Sequence, residues 1–138
     1  VDMVIKAFAK VAKEIPEAKM EVVCDGPVLK SLKNLTDKLK LKNKIVFHGS
    51  IVREKLANYY NRCDVFATGS AMEVQPLTLL EAMSCGLPIV GVKRAGVAEM
   101  ITNNVNGYLV SPSNSSAMSI KIIKILSDNK LRLKFSKK

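Results

Sequence analysis

The chain has 138 residues, 48% of them hydrophobic, and carries 22 Lys and Arg against 12 Asp and Glu, a formal net charge of +10 at pH 7. That length and apolar content suit one domain with its own core, and no apolar run approaches the ~20 residues of a membrane helix. Cys24, Cys63 and Cys85 are too few and too scattered for a disulfide framework or a metal cluster. They read as buried small hydrophobes. The first residues lack a signal-peptide pattern, so a cytoplasmic location is expected. The positive charge admits three explanations: Lys-rich solvated helix faces, a surface facing anionic lipid or phosphate, or nucleic-acid binding. Without aromatic residues interleaved among the lysines, nucleic acid is the weakest of the three.

In chain order, Val4, Ile5, Phe8, Val11 and Ala12 recur at helical spacing and predict an amphipathic opening helix. Residues 20–24 read as a short buried strand, Asp25, Gly26 and Pro27 as the turn at its carboxyl end, and 28–39 as a helix. Residues 44–49 give a second strand, 56–61 a short helix and 64–68 a third strand. Residues 87–92 are almost wholly apolar, as a parallel strand buried on both faces should be. Lys93 and Arg94 read as a solvated pair and Gly96 as a tight turn. Residues 108–110 form the fifth strand; Pro112 to Asn114 cap a helix over 115–126, with Ile120, Ile123, Ile125 and Leu126 toward the sheet, and 128–138 form a last helix. Strands alternating with helices imply parallel crossovers, so the expected fold class is α/β, a doubly wound parallel sheet flanked by helices. His48, the single histidine, alternates within a strand and is assigned a structural or edge role.

The stretch 70–88 concentrates the chemistry, because it sets Glu73 and Glu81 in an otherwise apolar segment. Pro76 suits a first helical turn, and Gly86 with Pro88 stops the helix. Leu79, Ala82 and Met83 form its apolar stripe, and Leu77, Leu79, Leu80, Ala82 and Met83 crowd it on most sides. Glu81 leans back toward the helix start while Glu73 precedes it, so two carboxylates flank an end rich in unpaired N–H groups. Such an end attracts phosphate. A carboxylate accepts well from vicinal ribose hydroxyls, so Glu81 can hold a ribose, the first turn a diphosphate and Glu73 a further polyol. A solvated helix residue and a loop charge are the plain alternative, opposed by the cost of burying an unpaired carboxylate.

At these residues the chain resembles the large retaining group 1 glycosyltransferases (glycosyltransferase family 4, GT-B fold), whose E-x7-E signature usually runs S-x-x-E-x-F-G-L-x-x-L-E-A-M-A-x-G-x-P. Glu73, Leu77, Leu80, Glu81, Ala82, Met83, Gly86 and Pro88 match it. Gln75 and Pro76 replace the usual Phe-Gly, and Pro76 removes a backbone donor. The resemblance implies that Glu73, taken as the catalytic-site residue, touches hydroxyls of the transferred sugar, that Glu81 binds the ribose, and that Gln75, Leu77 and Thr78 face the donor. It extends to the turn at Gly26 and Pro27, similar to the family's G-x-G-P. It also covers residues 44–56, similar to V-x-F-x-G-x-V-x-x-x-x-L, where Ser50, Ile51 and Val52 would offer backbone groups to the base and Lys55 would reach base or phosphate.

The implied architecture is the Rossmann-like donor-binding half of a GT-B enzyme spanning residues 1–138, with the acceptor domain and a basic R-x4-K-G motif expected ahead of Val1. The implied function is transfer of a sugar from a nucleoside diphosphate, UDP by preference, to a lipid, polysaccharide or small-molecule acceptor with retention of anomeric configuration. No cofactor and no metal are expected, the implied partner is the missing domain of the same protein, and peripheral association with the inner membrane face is an expectation from charge. Two rivals stay open: a nucleotide-sugar epimerase of the same architecture, and a non-catalytic basic module binding nucleic acid or anionic lipid.

Overall fold

The computed structural model describes residues 2–22, 28–49, 51, 53–68, 77–93 and 95–136. Helices and strands alternate strictly at first: α1 (Asp2–Glu14), β1 (Met20–Val22), α2 (Val28–Lys38), β2 (Ile45–Phe47), α3 (Arg53–Asn61), β3 (Phe66–Thr68), α4 (Leu77–Ser84), β4 (Ile89–Val92), α5 (Ala95–Met100), β5 (Gly107–Val110), then α6 (Ser115–Leu126) and α7 (Asn129–Ser136). Every strand pair is parallel, β1 with β2 and β3 with β4 with β5. Among the described residues the expected single sheet is thus two, β1-β2 and β3-β4-β5, because β1 and β3 do not bond to each other.

The pleat of β4 explains the double winding. Val90 and Val92 share one core with Val4, Ile5, Phe8 and Val11 of α1 and Met118, Ile122 and Ile125 of α6. Ile89 points the other way, into a second core with Leu79 and Ala82 of α4 and Val97 of α5. Successive residues serve opposite helix layers. All four residues of β4 are buried, as its unbroken apolar run requires.

Two glycines permit this closeness. A Cβ on Gly91 would lie 2.7 Å from Val97 Cγ1, so glycine lets α5 settle onto β4; a Cβ on Gly107 would lie 2.1 Å from the Ile89 carbonyl oxygen. At the carboxyl end, Asn114 caps α6 by accepting from the Ala117 N–H at 2.9 Å. Tyr108 of β5, 2% exposed, meets Phe135 of α7 edge to face at 5.3 Å, which fastens the last helix.

Two expectations are corrected. Gly96 lies within α5, not at a tight turn. On α6 the buried residues are Met118, Ser119, Ile122 and Ile125, whereas Ile120 is 62% exposed. Isoleucines surround α6 on several sides, so periodicity alone could not select the inner face. Among the described residues, no helix is long and apolar enough to cross a membrane.

Candidate functional site

In a doubly wound sheet the strand carboxyl ends carry ligands where the crossovers change direction. Here β1 and β2 are wound by α2 and β3 to β5 by α4 and α5, so that switch falls between β1 and β3. Of the residues assigned to the site, Gly26, Ser50, Val52, Glu73 and Gln75 lie outside the described residues, as does Arg94. The others fall on consecutive elements of that edge. Ile51, half-buried, links β2 to α3; Lys55 is exposed on α3; Leu77 and Thr78 open α4.

Glu81 occupies the middle of α4, half-buried, and faces α3. With Leu56, Ala57, Tyr60, Ser84 and Cys85 it lines a cavity of about 220 Å³ between the two helices. The phenol of Tyr60 is held above its ordinary pKa of 10.0, first by burial and next by the charge of Glu81. The carboxylate and α3 are therefore neighbours, which places Glu81 beside the helix that carries Lys55. The crowding expected around α4 is incomplete: Leu79 and Ala82 are buried, but Leu80 is 47% exposed. One side of the helix stays open to water, and a partly solvated carboxylate can meet a ligand without full desolvation.

A larger cleft, about 540 Å³, includes Tyr60, Cys63, Asp64, Cys85, Pro88 and Arg132 in its lining. It opens where the chain enters β3 and β4, at the strands' amino ends. Ligand chemistry in this fold belongs to the opposite edge, so volume does not locate the site here. Among the described residues there is no group of three or more His, Cys, Asp or Glu placed to hold a metal ion.

A polar cluster that sequence reasoning missed forms around Glu21 of β1. Its Oε1 accepts from Arg62 Nη2 at 2.7 Å and lies 3.0 Å from His48 Nε2, while Cys63 Sγ donates to Oε2 at 3.6 Å. The His48 ring also meets Tyr59 at 4.8 Å. His48 thus has the structural role its strand position suggested. A charged residue in an apolar strand was the one available signal, and its partner 41 positions away was not legible.

Cys63 and Cys85 are half-buried, which corrects their reading as buried small hydrophobes; both stand just past a helix end, where packing thins. Cys24 lies outside the described residues. Burial, then the charge of Glu21 and its hydrogen bond, push the Cys63 thiol from 9.0 up to about 11. A thiol with a raised folded pKa favours the fold below its unfolded pKa, and that contribution is lost as pH climbs through the folded value. We predict slower alkylation of Cys63 than of Cys85 at pH 8, measured by peptide mass spectrometry. Glu21→Gln should speed the reaction at Cys63; equal rates in wild type and variant would refute the assigned role of Glu21.

Fold and edge together define a doubly wound α/β domain in which the helix following β3 carries one half-buried carboxylate, Glu81. The chain belongs to the glycosyl transferases group 1 family, whose description matches residues 1–138, and its fold is that of the GT-B glycosyltransferases. It is 31% identical over 128 residues to N-acetyl-alpha-D-glucosaminyl L-malate synthase of Bacillus anthracis, covering 93% of this chain and 33% of that protein. It is similar to the C-terminal domain of a glycosyl transferase group 1 family protein (LpcC) from Francisella tularensis, with 28% identity and TM-score 0.88 over 98% of this chain and 72% of that one. It is likewise similar to HepE of Anabaena in complex with UDP and glucose, with 25% identity and TM-score 0.86 over 97% of this chain and 37% of that one. The chain thus spans about a third of the length of the Bacillus relative.

Proposed function

We propose that these residues form the donor-binding domain of a retaining glycosyltransferase that uses a nucleoside-diphosphate sugar, with UDP the preferred nucleotide. The observation that carries the reading is Glu81, held half-buried against α3 on α4, the helix that follows β3 from the sheet's carboxyl edge. HepE, similar along nearly the whole chain, binds UDP and glucose, which supports a nucleotide-sugar as ligand. In this reading Glu81 accepts from the ribose hydroxyls and Glu73 from the transferred sugar. The backbone near Gln75, Leu77 and Thr78 meets the diphosphate or sugar. Gly26, Ser50, Ile51, Val52 and Lys55 border the base and phosphates.

Transfer from a diphosphate is driven mainly by stabilising the charge that develops on the leaving group. The cations for that task and the acceptor site are assigned to a preceding part of a longer polypeptide, and no metal is invoked. The 138-residue chain is therefore predicted to bind nucleotide weakly and not to turn over. Membership of the group 1 family favours this reading over an epimerase or a basic scaffold.

The test is a titration with UDP, GDP and ADP followed by amide NMR shifts. Selective shifts at Ile51, Lys55 and residues 77–81 with one nucleotide would support the reading and identify the base. Equal, salt-sensitive shifts spread over the lysines with every nucleotide would favour the basic module instead.

A further inference from the structure

Charge is divided unequally between the two helix layers. The core shared by α1, α2, α6 and α7 lies on one face of the strands, and the core of α4 and α5, with Tyr60 of α3, lies on the other. The first four of these helices carry eleven Lys and Arg against three Asp and Glu, whereas α3, α4 and α5 carry two against three. A general abundance of lysine would load both layers alike. The net charge of +10 therefore resides mainly on one side of the domain.

The packing of that layer gathers the charge. On α1 the buried residues Ile5, Phe8 and Ala12 face the strands, so Lys6, Lys10 and Lys13, all exposed, form a row along the opposite side. α6 shares the core of α1, and the Lys10 ammonium donates to the Ser116 hydroxyl, which ties the row to α6. Ile120 and then Lys124 follow Ser116 at four-residue spacing on the same side of α6. Lys121 and Lys124 hold their ammonium groups 4.6 and 5.4 Å from the centroid of the Tyr108 ring, so two like charges stay together.

Lysine alone does not distinguish a partner. Ile120 and Leu133 do: at 62% and 63% exposed they are the most exposed large apolar side chains among the described residues, and both stand in this layer. Ile120 is flanked by Lys124 on α6, and Leu133 by Lys130 and Lys134 on α7, which packs against α6. A nucleic acid is met by cations on its phosphates and by polar or aromatic side chains on its bases, which leaves exposed aliphatic groups without a role. At the boundary of a bilayer they have one: the aliphatic group enters below the head groups while lysines stay level with the anionic ones. We propose that the outer surface of α1 and α6, with α7 at its margin, docks on an anionic lipid bilayer. Docked in this way, the domain keeps α4 and Glu81 on the layer away from lipid, so the inference stands or falls separately from the nucleotide reading.

The probe is co-sedimentation of the chain with vesicles of equal parts phosphatidylcholine and phosphatidylglycerol, with phosphatidylcholine alone as the neutral comparison. Binding should appear only with the anionic vesicles and weaken as salt is raised. Replacing Lys6, Lys10 and Lys13 together by Gln should weaken it by about 100-fold, since each Lys near an anionic surface is worth about fivefold. Ile120→Ser should weaken it by about fivefold at every salt concentration. Leu80→Ser removes an exposed aliphatic side chain from the opposite layer and should bind like wild type. All these side chains lie outside the two cores, so circular dichroism should be unchanged; if the triple variant does not fold, Ile120→Ser against Leu80→Ser carries the comparison. Equal binding to neutral and anionic vesicles, or full binding by the triple variant, would overturn the proposal. So would equal losses from Ile120→Ser and Leu80→Ser. Binding to duplex DNA as tight as to the anionic vesicles, and indifferent to Ile120→Ser, would assign the surface to nucleic acid and overturn the bilayer as its partner.

Discussion

Gly107→Ala is expected to leave the chain largely unfolded. The new Cβ would stand 2.1 Å from the Ile89 carbonyl oxygen, a backbone atom held between β4 and β5. A flexible side chain can swing aside; a ladder carbonyl cannot without parting the strands. Overpacking a core commonly costs 1–3 kcal/mol, and a backbone clash this deep should reach about 3 kcal/mol or more, a large fraction of the 5–15 kcal/mol typical of a whole domain. Urea titration by circular dichroism would show a greatly lowered midpoint or no folded baseline. Gly49→Ala is the matching control: Gly49 has φ +67 with nothing within 4 Å of an added Cβ, so its cost is conformational, about 1 kcal/mol. Equal midpoints for the two variants would contradict the packing at β5.

Glu81→Gln should cost nucleotide binding while sparing the fold. The side chain is half-buried at the rim of the α3–α4 cavity, so the amide fits the same space with little loss of stability. Against ribose hydroxyls, however, a carboxylate accepts charge-assisted bonds worth about 1.5–3 kcal/mol where an amide makes ordinary ones. Affinity should drop by roughly 10-fold or more, since about 1.4 kcal/mol is tenfold. The same substitution removes one cause of the raised Tyr60 pKa, so the phenol should ionise closer to 10.0. Ultraviolet titration of the tyrosines reads that shift and shows whether Glu81 still faced α3. If Glu81→Gln binds UDP as tightly as wild type while Tyr60 shifts, the ribose role is wrong though the geometry is right.

The contrast between β4 and α6 shows where sequence reasoning holds. A run such as Ile89 to Val92 has one sensible place, a central strand covered on both sides, and it sits there. α4 was equally legible, because Gly86 and Pro88 ended it and its apolar spacing selected Leu79 and Ala82 as inner residues. α6 carries apolar residues on nearly all sides, so the choice between Ile120 and Ile122 was made by α1, a partner far away in sequence. α5 was missed because Gly96, usually a turn signal, is accommodated in its first turn. The division into two sheets left no trace in the pattern, since each strand looks the same whether its neighbour is present or not. In the site, Glu81 was legible from its apolar setting and motif. The Glu21, Arg62 and His48 cluster needed three dimensions.

The pairing of α1 with α6 also bears on how the chain reaches this structure. These helices share one core and are joined by a hydrogen bond from Lys10 to Ser116, 106 positions apart. β1-α2-β2 and β3-α4-β4-α5-β5 are each built from neighbouring segments, whose loops are cheap to close. Bringing α1 to α6 closes nearly the whole chain, at an entropic cost of about 4 kcal/mol for a loop of that length. The two halves can therefore organise early and separately, whereas the α1–α6 contact becomes favourable only once the β4 surface beneath them exists. The slowest folding step should then be the docking of α1 across the two half-built sheets, and fast local assembly would precede it.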